Sequence, residues 1–186
     1  MKFNMKKEIN SYYKTTYNSI LGELILISDG ENLLGLYTKS QKLSKSILFL
    51  DLIVDDNLPV FIKTKEWLQN YFMGNNPNIK TIPLKLIGNT FRMSVWEELL
   101  KIPYGTCTTY KDIADKIIIK LKKERMSSQA VGNAVGNNPV GIIVPCHRVI
   151  SKSNNLTGYA GGIDKKIQLL TLEKIDVTKL KMPTKK

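Results

Sequence analysis

Residues 109–139, TYKDIADKIIIKLKKERMSSQAVGNAVGNNP, predict two short helices separated by a turn. Thr109, with an aspartate three residues later, matches the capping box that starts a helix, and we expect this helix to run to about Lys116. Ser127 or Ser128 can cap the second helix, which the closing Gly-Asn-Asn-Pro stops because proline cannot continue a helix. Small residues dominate this second helix. We therefore expect another surface, either a neighbouring helix or a binding partner, to approach its backbone closely.

A third helix is predicted just before this pair. Thr90 can cap it, Pro103 ends it, and its apolar stripe consists of Phe91, Val95, Leu99 and Ile102. The order of helix, short helix, turn and helix is that of a helix-turn-helix unit. Many helical domains share this order, so it does not identify a function. After it, Gly141 to Val144 forms an apolar run that predicts a buried strand.

The N-terminal half of the chain has a different pattern. Apolar positions alternate from Ser19 to Tyr37 around a central Asp-Gly-Glu-Asn, which predicts two strands joined by a turn. Apolar residues at helical spacing predict a helix from Phe61 to Phe72, whereas residues 40–54 fit either a helix or a strand.

Composition and charge change near residues 83–89, where we place a domain boundary. We expect an α/β N-terminal domain with a small β-sheet and a helix over residues 1–87. A mainly α C-terminal domain of winged-helix or helix-turn-helix type would follow over 88–176 and carry the reactive residues, and a basic tail would close the chain over 177–186.

The charge balance favours a polyanionic partner. The 186 residues include 28 Lys and Arg against 16 Asp and Glu, a net charge of +12. Residues 1–85 hold 11 basic and 8 acidic side chains, whereas residues 86–186 hold 17 and 8, so most of the excess lies in the second half. We expect the lysines of residues 116–123, Arg125 and the basic residues from Lys179 to Lys186 to contact phosphates or to remain solvated.

The two cysteines and one histidine exclude several classes of protein. A structural zinc site needs four nitrogen or sulfur ligands, and two cysteines cannot make a disulfide framework. The charged first ten residues do not form a secretory signal. We therefore expect no metal site, no membrane association and a reducing cytoplasm as the compartment.

The reactive side chains are concentrated in residues 145–150, PCHRVI, where the only histidine, His147, adjoins Cys146. A thiol becomes a nucleophile near neutral pH only as its thiolate, which a nearby imidazole promotes by taking the proton. A buried cysteine beside a surface histidine is the alternative reading of this pair. Cys107 has no histidine near it in sequence, and we assign it no chemistry.

The PCHRVI string resembles the active-site signature of the O6-alkylguanine-DNA alkyltransferases, the methylated-DNA–protein-cysteine methyltransferases. Further stretches resemble the same family in the same order over about residues 88–175. They are FRMSVW at 91–96, IPYGTCTTYKDIA at 102–114, AVGNAVGNNP at 130–139 and GYAGG at 158–162. The N-terminal half fits more loosely, through LGEL at 21–24 and YFMG at 71–74.

The resemblance implies DNA repair in which an alkyl group moves from O6 of guanine, and also from O4 of thymine, onto a cysteine, with no cofactor. Cys146 would be the nucleophile, deprotonated by His147 through a water that Glu173 holds. Asn138 would brace the active-site turn, and Tyr110 would protonate N3 of the departing guanine. Each molecule would act once, because the thioether has no evident route back to the thiol.

The resemblance also implies that a monomer binds double-stranded DNA and flips the damaged base out of the helix. The helix containing Ala130 and Gly132 would enter the minor groove, where small side chains permit close approach. Tyr159, Ala160 and the carbonyls near Val149 would line the base pocket. The family places an arginine where this chain has Gln129, so we expect weaker support for flipping, with Arg125 as a possible substitute.

Two other classes of protein fit part of the pattern. A non-catalytic helix-turn-helix protein that binds alkylated DNA or regulates transcription would explain the basic half, but it does not need Cys146. A cysteine hydrolase would explain the thiol and the imidazole, but it leaves the basic surplus unexplained.

Overall fold

The structure is a computed structural model that describes residues 11–39, 41 and 51–182. Its N-terminal part is a four-stranded sheet in the order β3-β2-β1-β4. The strands are β1 (Tyr12–Ser19), β2 (Gly22–Ser28), β3 (Leu33–Thr38) and β4 (Leu52–Val54). The first three pair antiparallel, and β4 is parallel to β1.

The predicted hairpin is confirmed by β2 and β3, whereas the sequence pattern did not indicate β1. Tyr, Lys and Thr alternate without a clear apolar face in β1, and only Thr15 among them is buried. Of residues 40–54, positions 40 and 42–50 lie outside the described residues, and 52–54 form the edge strand β4. The predicted helix is confirmed as α1 (Pro59–Phe72), with proline at its first position.

The C-terminal part contains the three predicted helices, with some changes at their ends, and one more helix beyond the reactive string. The predicted helices are α2 (Thr90–Leu99), α3 (Tyr110–Leu121) and α4 (Ser128–Gly136), and the additional helix is α5 (Ile163–Leu172). A two-residue parallel pair joins β5 (Thr108–Thr109) to β6 (Val149–Ile150).

The helix caps follow local side-chain chemistry. The predicted capping box at Thr109 is present, although α3 continues past Lys116 to Leu121 because its apolar face stays buried. Ser127 caps α4 by accepting a hydrogen bond from the Ala130 N–H. The prediction that Thr90 caps α2 was wrong. Asn89 does so, because its side-chain oxygen accepts from the Arg92 N–H at 2.9 Å.

The run from Gly141 to Val144 is buried, but the prediction of a strand was wrong. Its backbone bends back on itself, so Val144 N–H donates to Val140 at 3.0 Å and Cys146 N–H donates to Val144 at 2.8 Å. Ile142 adopts a φ of +70°, which is rare for a β-branched residue. The apolar pattern predicted correctly that these residues are buried, but a buried segment need not have an extended backbone.

The two parts of the chain share one apolar core. Leu36 N–H of β3 donates to Pro139 at 2.9 Å, and Gly141 N–H returns a hydrogen bond to Leu36 at 3.0 Å. The start of the expected basic tail also packs against the protein, since Leu156 N–H donates to Lys181 at 2.9 Å and Leu180 contacts a small apolar cluster. These contacts hold the reactive segment between the two parts.

Candidate active site

Cys146 follows the buried turn and begins a single 3-10 turn, Cys146–Arg148. Only 7% of the cysteine surface is exposed. Asn138 braces the turn that presents it, because its Nδ2 donates to Val144 at 2.8 Å and its oxygen accepts from the Val140 N–H at 3.0 Å. Burial raises the pKa of the Cys146 thiol, and a hydrogen bond from the Asn138 side chain opposes that rise.

His147 is fully buried, and its Nε2 lies 2.8 Å from Oε1 of Glu173. Burial disfavours the charged form of Glu173, but hydrogen bonds from His147 and Arg148 bring its pKa down to about 2, so the carboxylate is ionised. An ionised carboxylate only accepts hydrogen bonds, and Nε2 must therefore carry the ring proton. We expected Glu173 to hold a water between His147 and Cys146. The structure shows the carboxylate in direct contact with the imidazole, and the water stays a prediction.

The second ring nitrogen of His147 is the one left for proton transfer. Burial lowers the pKa of His147, so the ring is neutral and its Nδ1 is unprotonated. Nδ1 is buried and has no hydrogen-bond partner among the residues that the structure describes. A neutral imidazole with a free nitrogen is suited to accept the proton of the adjacent thiol.

Glu173 is held by hydrogen-bond donors from four residues. Arg148 contacts it through two nitrogens, Nε to Oε2 and NH2 to Oε1, each at 2.8 Å. Tyr71 of α1 donates to Oε1 at 2.6 Å, and the Gly105 N–H donates to Oε2 at 3.2 Å. With His147, these groups saturate a carboxylate that is only 1% exposed. Glu173 itself is the residue that caps the end of α5.

A buried lysine adds a positive charge that acts on the thiol. Lys166 of α5 is fully buried, and its Nζ donates to Val149 at 2.6 Å and to Thr157 at 2.9 Å. Burial lowers the pKa of Lys166 to about 8, and the charge of the Cys146 thiolate opposes that fall. The interaction is mutual, since the lysine charge lowers the pKa of Cys146.

A cavity of about 590 Å³ is lined in part by Thr157, whose carbonyl binds Lys166. The cavity is also lined by Tyr110, the predicted proton donor, and by four of the residues predicted to contact the substrate or the DNA, which are Gln129, Gly132, Tyr159 and Ala160. Tyr110 points its hydroxyl at the carbonyls of residues 157 and 158, which lie 3.3 and 3.4 Å away. Burial raises the pKa of both Tyr110 and Tyr159, so both hydroxyls are protonated, and the thiolate charge of Cys146 acts on each ring.

Cys146, His147, Glu173 and Asn138 do not line this cavity, and neither do three of the residues predicted to contact the substrate or the DNA. The expectation for Val149 needs correction, because it is buried in β6 and its carbonyl accepts from Lys166. Ala130 lies in the first turn of α4, where its N–H is used by the cap. Arg125 is exposed in the connection before α4.

The two glycines within α4, Gly132 and Gly136, line the cavity. A methyl group added at Gly132 would meet the Tyr110 ring at 3.7 Å, an ordinary contact, and one added at Gly136 would meet nothing within 4 Å. The opposite face packs on α2, where the Trp96 ring nitrogen donates to the Ala134 carbonyl at 2.9 Å. The neighbouring helix that we expected at the small residues of α4 is therefore present at Ala134, which contacts α2, and at Gly132, which faces Tyr110 of α3, whereas Gly136 faces open space.

The basic residues before α4 differ in their availability. Lys120 forms an ion pair with Glu97 of α2, whereas Lys116, Lys122 and Lys123 are exposed.

No helix in the described part of the chain is long and apolar enough to cross a bilayer. Within the same residues, no three His, Cys, Asp or Glu side chains are placed to hold a metal ion.

Two family models match the chain. The one described as 6-O-methylguanine DNA methyltransferase, DNA binding domain, matches residues 90–175, and the one described as the ribonuclease-like domain of the same methyltransferase matches residues 12–86. The methylated-DNA–protein-cysteine methyltransferase of Haemophilus influenzae is 36% identical to this chain, over 90% of this chain and 89% of its own length. The chain belongs to this methyltransferase family.

Other members of the family agree over almost the whole chain. The methylated-DNA–protein-cysteine methyltransferase of Methanosarcina acetivorans is 40% identical, over 87% of this chain and 97% of its own. The crystal structure of Mycobacterium tuberculosis OGT in complex with DNA matches with a TM-score of 0.73 and 37% identity, covering 92% of this chain and 95% of that one. The expected fold class is confirmed, and so is the expected function, repair of DNA by direct alkyl transfer to a protein cysteine.

Sequence reasoning missed three members of the site, which are Tyr71, Arg148 and Lys166. A signal existed for Lys166, because it shares the apolar face of α5 with Leu169 and Leu170, where a charged residue is unusual. Arg148 stands between two buried residues of the PCHRVI string, which was a weaker signal. Tyr71 had none, since it lies 102 residues from its partner Glu173.

Proposed function

We propose that Cys146 accepts the alkyl group from O6 of guanine in double-stranded DNA, with His147 as its base. The observation that carries the assignment is the unpartnered Nδ1 of a buried, neutral His147 directly after a buried cysteine. Glu173 supports it, because its ionised carboxylate fixes the proton on Nε2 and leaves Nδ1 as the acceptor.

The proposed reaction is a direct displacement. The thiol proton passes to Nδ1 of His147, through a water, and the sulfur then attacks the alkyl carbon. The new carbon–sulfur bond forms as the carbon–oxygen bond to O6 breaks, and the electron pair stays with guanine. Tyr110 is the proposed donor of a proton to N3, which neutralises the leaving group. No step regenerates the thiol, so each molecule acts once.

The position of the cavity favours a flipped base. O6 of a stacked guanine lies inside the duplex, so a buried thiol reaches it only after the nucleotide rotates out. The cavity between α4 and Tyr159 is polar at Tyr110 and open towards the small residues of α4, which suits entry of that helix into the minor groove. O4 of thymine is the proposed second substrate, because it presents the same alkylated oxygen in a planar ring.

Gln129 lies at the edge of this cavity, where the family has an arginine. Glutamine can hydrogen-bond an orphaned cytosine, but it is shorter and uncharged. Gln129→Arg should therefore speed repair of O6-methylguanine in a duplex, and an unchanged repair rate would contradict this role. Arg125 remains the second candidate for support of flipping.

We also propose that the protein acts as a monomer in the cytoplasm. The proposed units are residues 1–87, 88–176 and the basic segment 177–186, whose first residues pack against the second unit. The exposed lysines near α4 would contact DNA phosphates, and each contact would steepen the salt dependence of binding. A flat response to salt would exclude such contacts.

Intact-mass measurement tests the assignment of Cys146. The protein is mixed with one equivalent of duplex carrying a single O6-methylguanine, beside Cys146→Ser and the matched control Cys107→Ser. The wild type and the Cys107 variant should each gain one methyl group and stop, and Cys146→Ser should gain none. A duplex that binds but transfers no methyl group would indicate a lesion-binding protein instead. Repeated turnover of an acyl substrate would indicate a hydrolase.

A further inference from the structure

Tyr71 reaches the active site from the other part of the chain. It lies in α1, within the ribonuclease-like region, and its hydroxyl donates to Oε1 of Glu173 at 2.6 Å. The same hydroxyl lies 3.4 Å from Nε2 of His147. We infer that Tyr71 is a positioning residue for alkyl transfer, which holds the Glu173 carboxylate against the imidazole and moderates how strongly that carboxylate acts on it.

The direction of the Tyr71 hydroxyl is set by rigid packing. Its ring is 1% exposed and stacks on Trp67 with centroids 5.2 Å apart and planes at 10°. Tyr104 meets the ring edge-on at 6.1 Å. Because aromatic side chains packed in this way have few alternative rotamers, the hydroxyl is directed to Glu173 by α1 as a whole.

The hydrogen bond acts on the oxygen that also binds His147. Oε1 accepts hydrogen bonds from the Tyr71 hydroxyl, from Nε2 of His147 and from Nη2 of Arg148. Oε2 accepts from Nε of Arg148 and from the backbone N–H of Gly105. A donor on a carboxylate oxygen withdraws negative charge from it. Loss of the Tyr71 hydroxyl would therefore strengthen the pull of Oε1 on the imidazole proton. Burial raises the pKa of Tyr71 far above its ordinary value, so it always acts as a donor.

The charged and titratable groups that face His147 come from several elements. Arg148 and Lys166 lower its pKa and Glu173 raises it. Cys146 adjoins His147 in sequence, and Tyr71 completes the set from α1. Only Tyr71 can be altered here without changing a formal charge at neutral pH or removing a group proposed to take part in proton transfer.

The experiment uses the fact that His147 is the only histidine in the chain. NMR of the full-length protein with labelled histidine reports the tautomer and the pKa of His147 without assignment ambiguity. Tyr71→Phe keeps the ring and removes the hydroxyl, and Tyr104→Phe is the matched control, since that hydroxyl donates to the carbonyls of Gly74 and Leu172 and not to the carboxylate. We expect a higher pKa of His147 in Tyr71→Phe and no change in Tyr104→Phe.

A purely structural role for Tyr71 would give a different result. Tyr71→Phe would then melt at a lower temperature with the pKa and the tautomer of His147 unchanged, which would overturn the inference. An equal shift in both tyrosine variants would overturn it as well. If Tyr71→Phe does not fold, 3-fluorotyrosine at position 71 supplies the test, because its more acidic hydroxyl is a stronger donor and should lower the pKa of His147.

The consequence for repair rests on the proposed function and is measured separately. As pH is lowered, single-turnover methyl transfer to Cys146 should begin to lose rate at a higher pH in Tyr71→Phe than in wild type. The acid limb of the rate profile is then moved to higher pH, with a loss of roughly fivefold at its foot. If wild type transfers no methyl group, the proposed function fails while the NMR comparison of Tyr71 still stands. If transfer occurs with identical acid limbs in both proteins, the inference about Tyr71 fails alone.

Discussion

Replacing Arg148 by methionine should destabilise the protein by about 3–5 kcal/mol, the usual cost of removing one partner of a buried ion pair. Methionine keeps the length of the aliphatic stem but removes two hydrogen bonds to Glu173 at 2.8 Å and one to the Ile102 carbonyl at 2.7 Å. The remaining carboxylate is only 1% exposed and cannot be rehydrated in place.

The pKa of Glu173 gives an independent scale for this loss. It falls from the ordinary 4.5 to about 2 in the folded protein, and a difference of that size corresponds to roughly 3 kcal/mol. Arg148 and His147 supply the hydrogen bonds that produce it, although burial alone would raise the value. Arg148 supplies only part of the interaction that lowers the pKa of Glu173. The rest of the destabilisation expected for Arg148→Met comes from the lost hydrogen bond to the Ile102 carbonyl.

Urea denaturation at pH 7 measures the change in the free energy of unfolding. The cycle comprises wild type, Arg148→Met, Glu173→Gln and the double variant, and the double variant should be less destabilised than the sum of the two single variants, because no buried charge is left unpaired. Lys111→Met is the surface control, since its ion pair with Asp115 is exposed and should contribute less than about 1 kcal/mol. A loss below about 1 kcal/mol in Arg148→Met, or strict additivity in the cycle, would refute the reasoning.

Four further results are expected. The stability that Glu173 contributes should be lost as pH falls from 4.5 to about 2, because its folded pKa is depressed and the carboxylate is protonated over that range. An acid-unfolding midpoint that Glu173→Gln leaves unchanged would contradict this. Lys166→Met should raise the pKa of the Cys146 thiol and slow its reaction with iodoacetamide at pH 7 about tenfold, and an unchanged rate would exclude the charge effect. Methylation of Cys146 should cost about 1–3 kcal/mol through overpacking, so equal melting temperatures of the free and methylated protein would contradict close packing there. Gly136→Ile should weaken duplex binding with little change in melting temperature, because its side chain would point into open space, and full affinity would argue against entry of α4 into the groove.

Local sequence patterns predicted most of the helices and the central hairpin. The capping box at Thr109 and the apolar spacing of α1 depend on neighbours three or four residues away, so they are readable without the fold. The wrong predictions for the cap of α2 and for the strand before Cys146 arose because these local patterns do not include the tertiary structure. Asn89 and Thr90 are both acceptable caps, and only the backbone geometry shows which one accepts the hydrogen bond. The apolar run before Cys146 predicted correctly that this segment is buried. Its backbone bends instead of forming a strand because the segment packs against Asn138 and β3.

The sequence alone was enough to recognise the reactive pair, the excess of basic residues and the family, because Cys146 and His147 are adjacent and motif spacing is a property of sequence. It was not enough to predict the tautomer of His147. That tautomer depends on Glu173, which is 26 residues away, and on the groups that keep its carboxylate ionised. Those groups come from α1, the Cys146–Arg148 turn and the loop at Gly105. Which side chains share one carboxylate depends on folding across the whole length of the chain, and no local pattern carries that information.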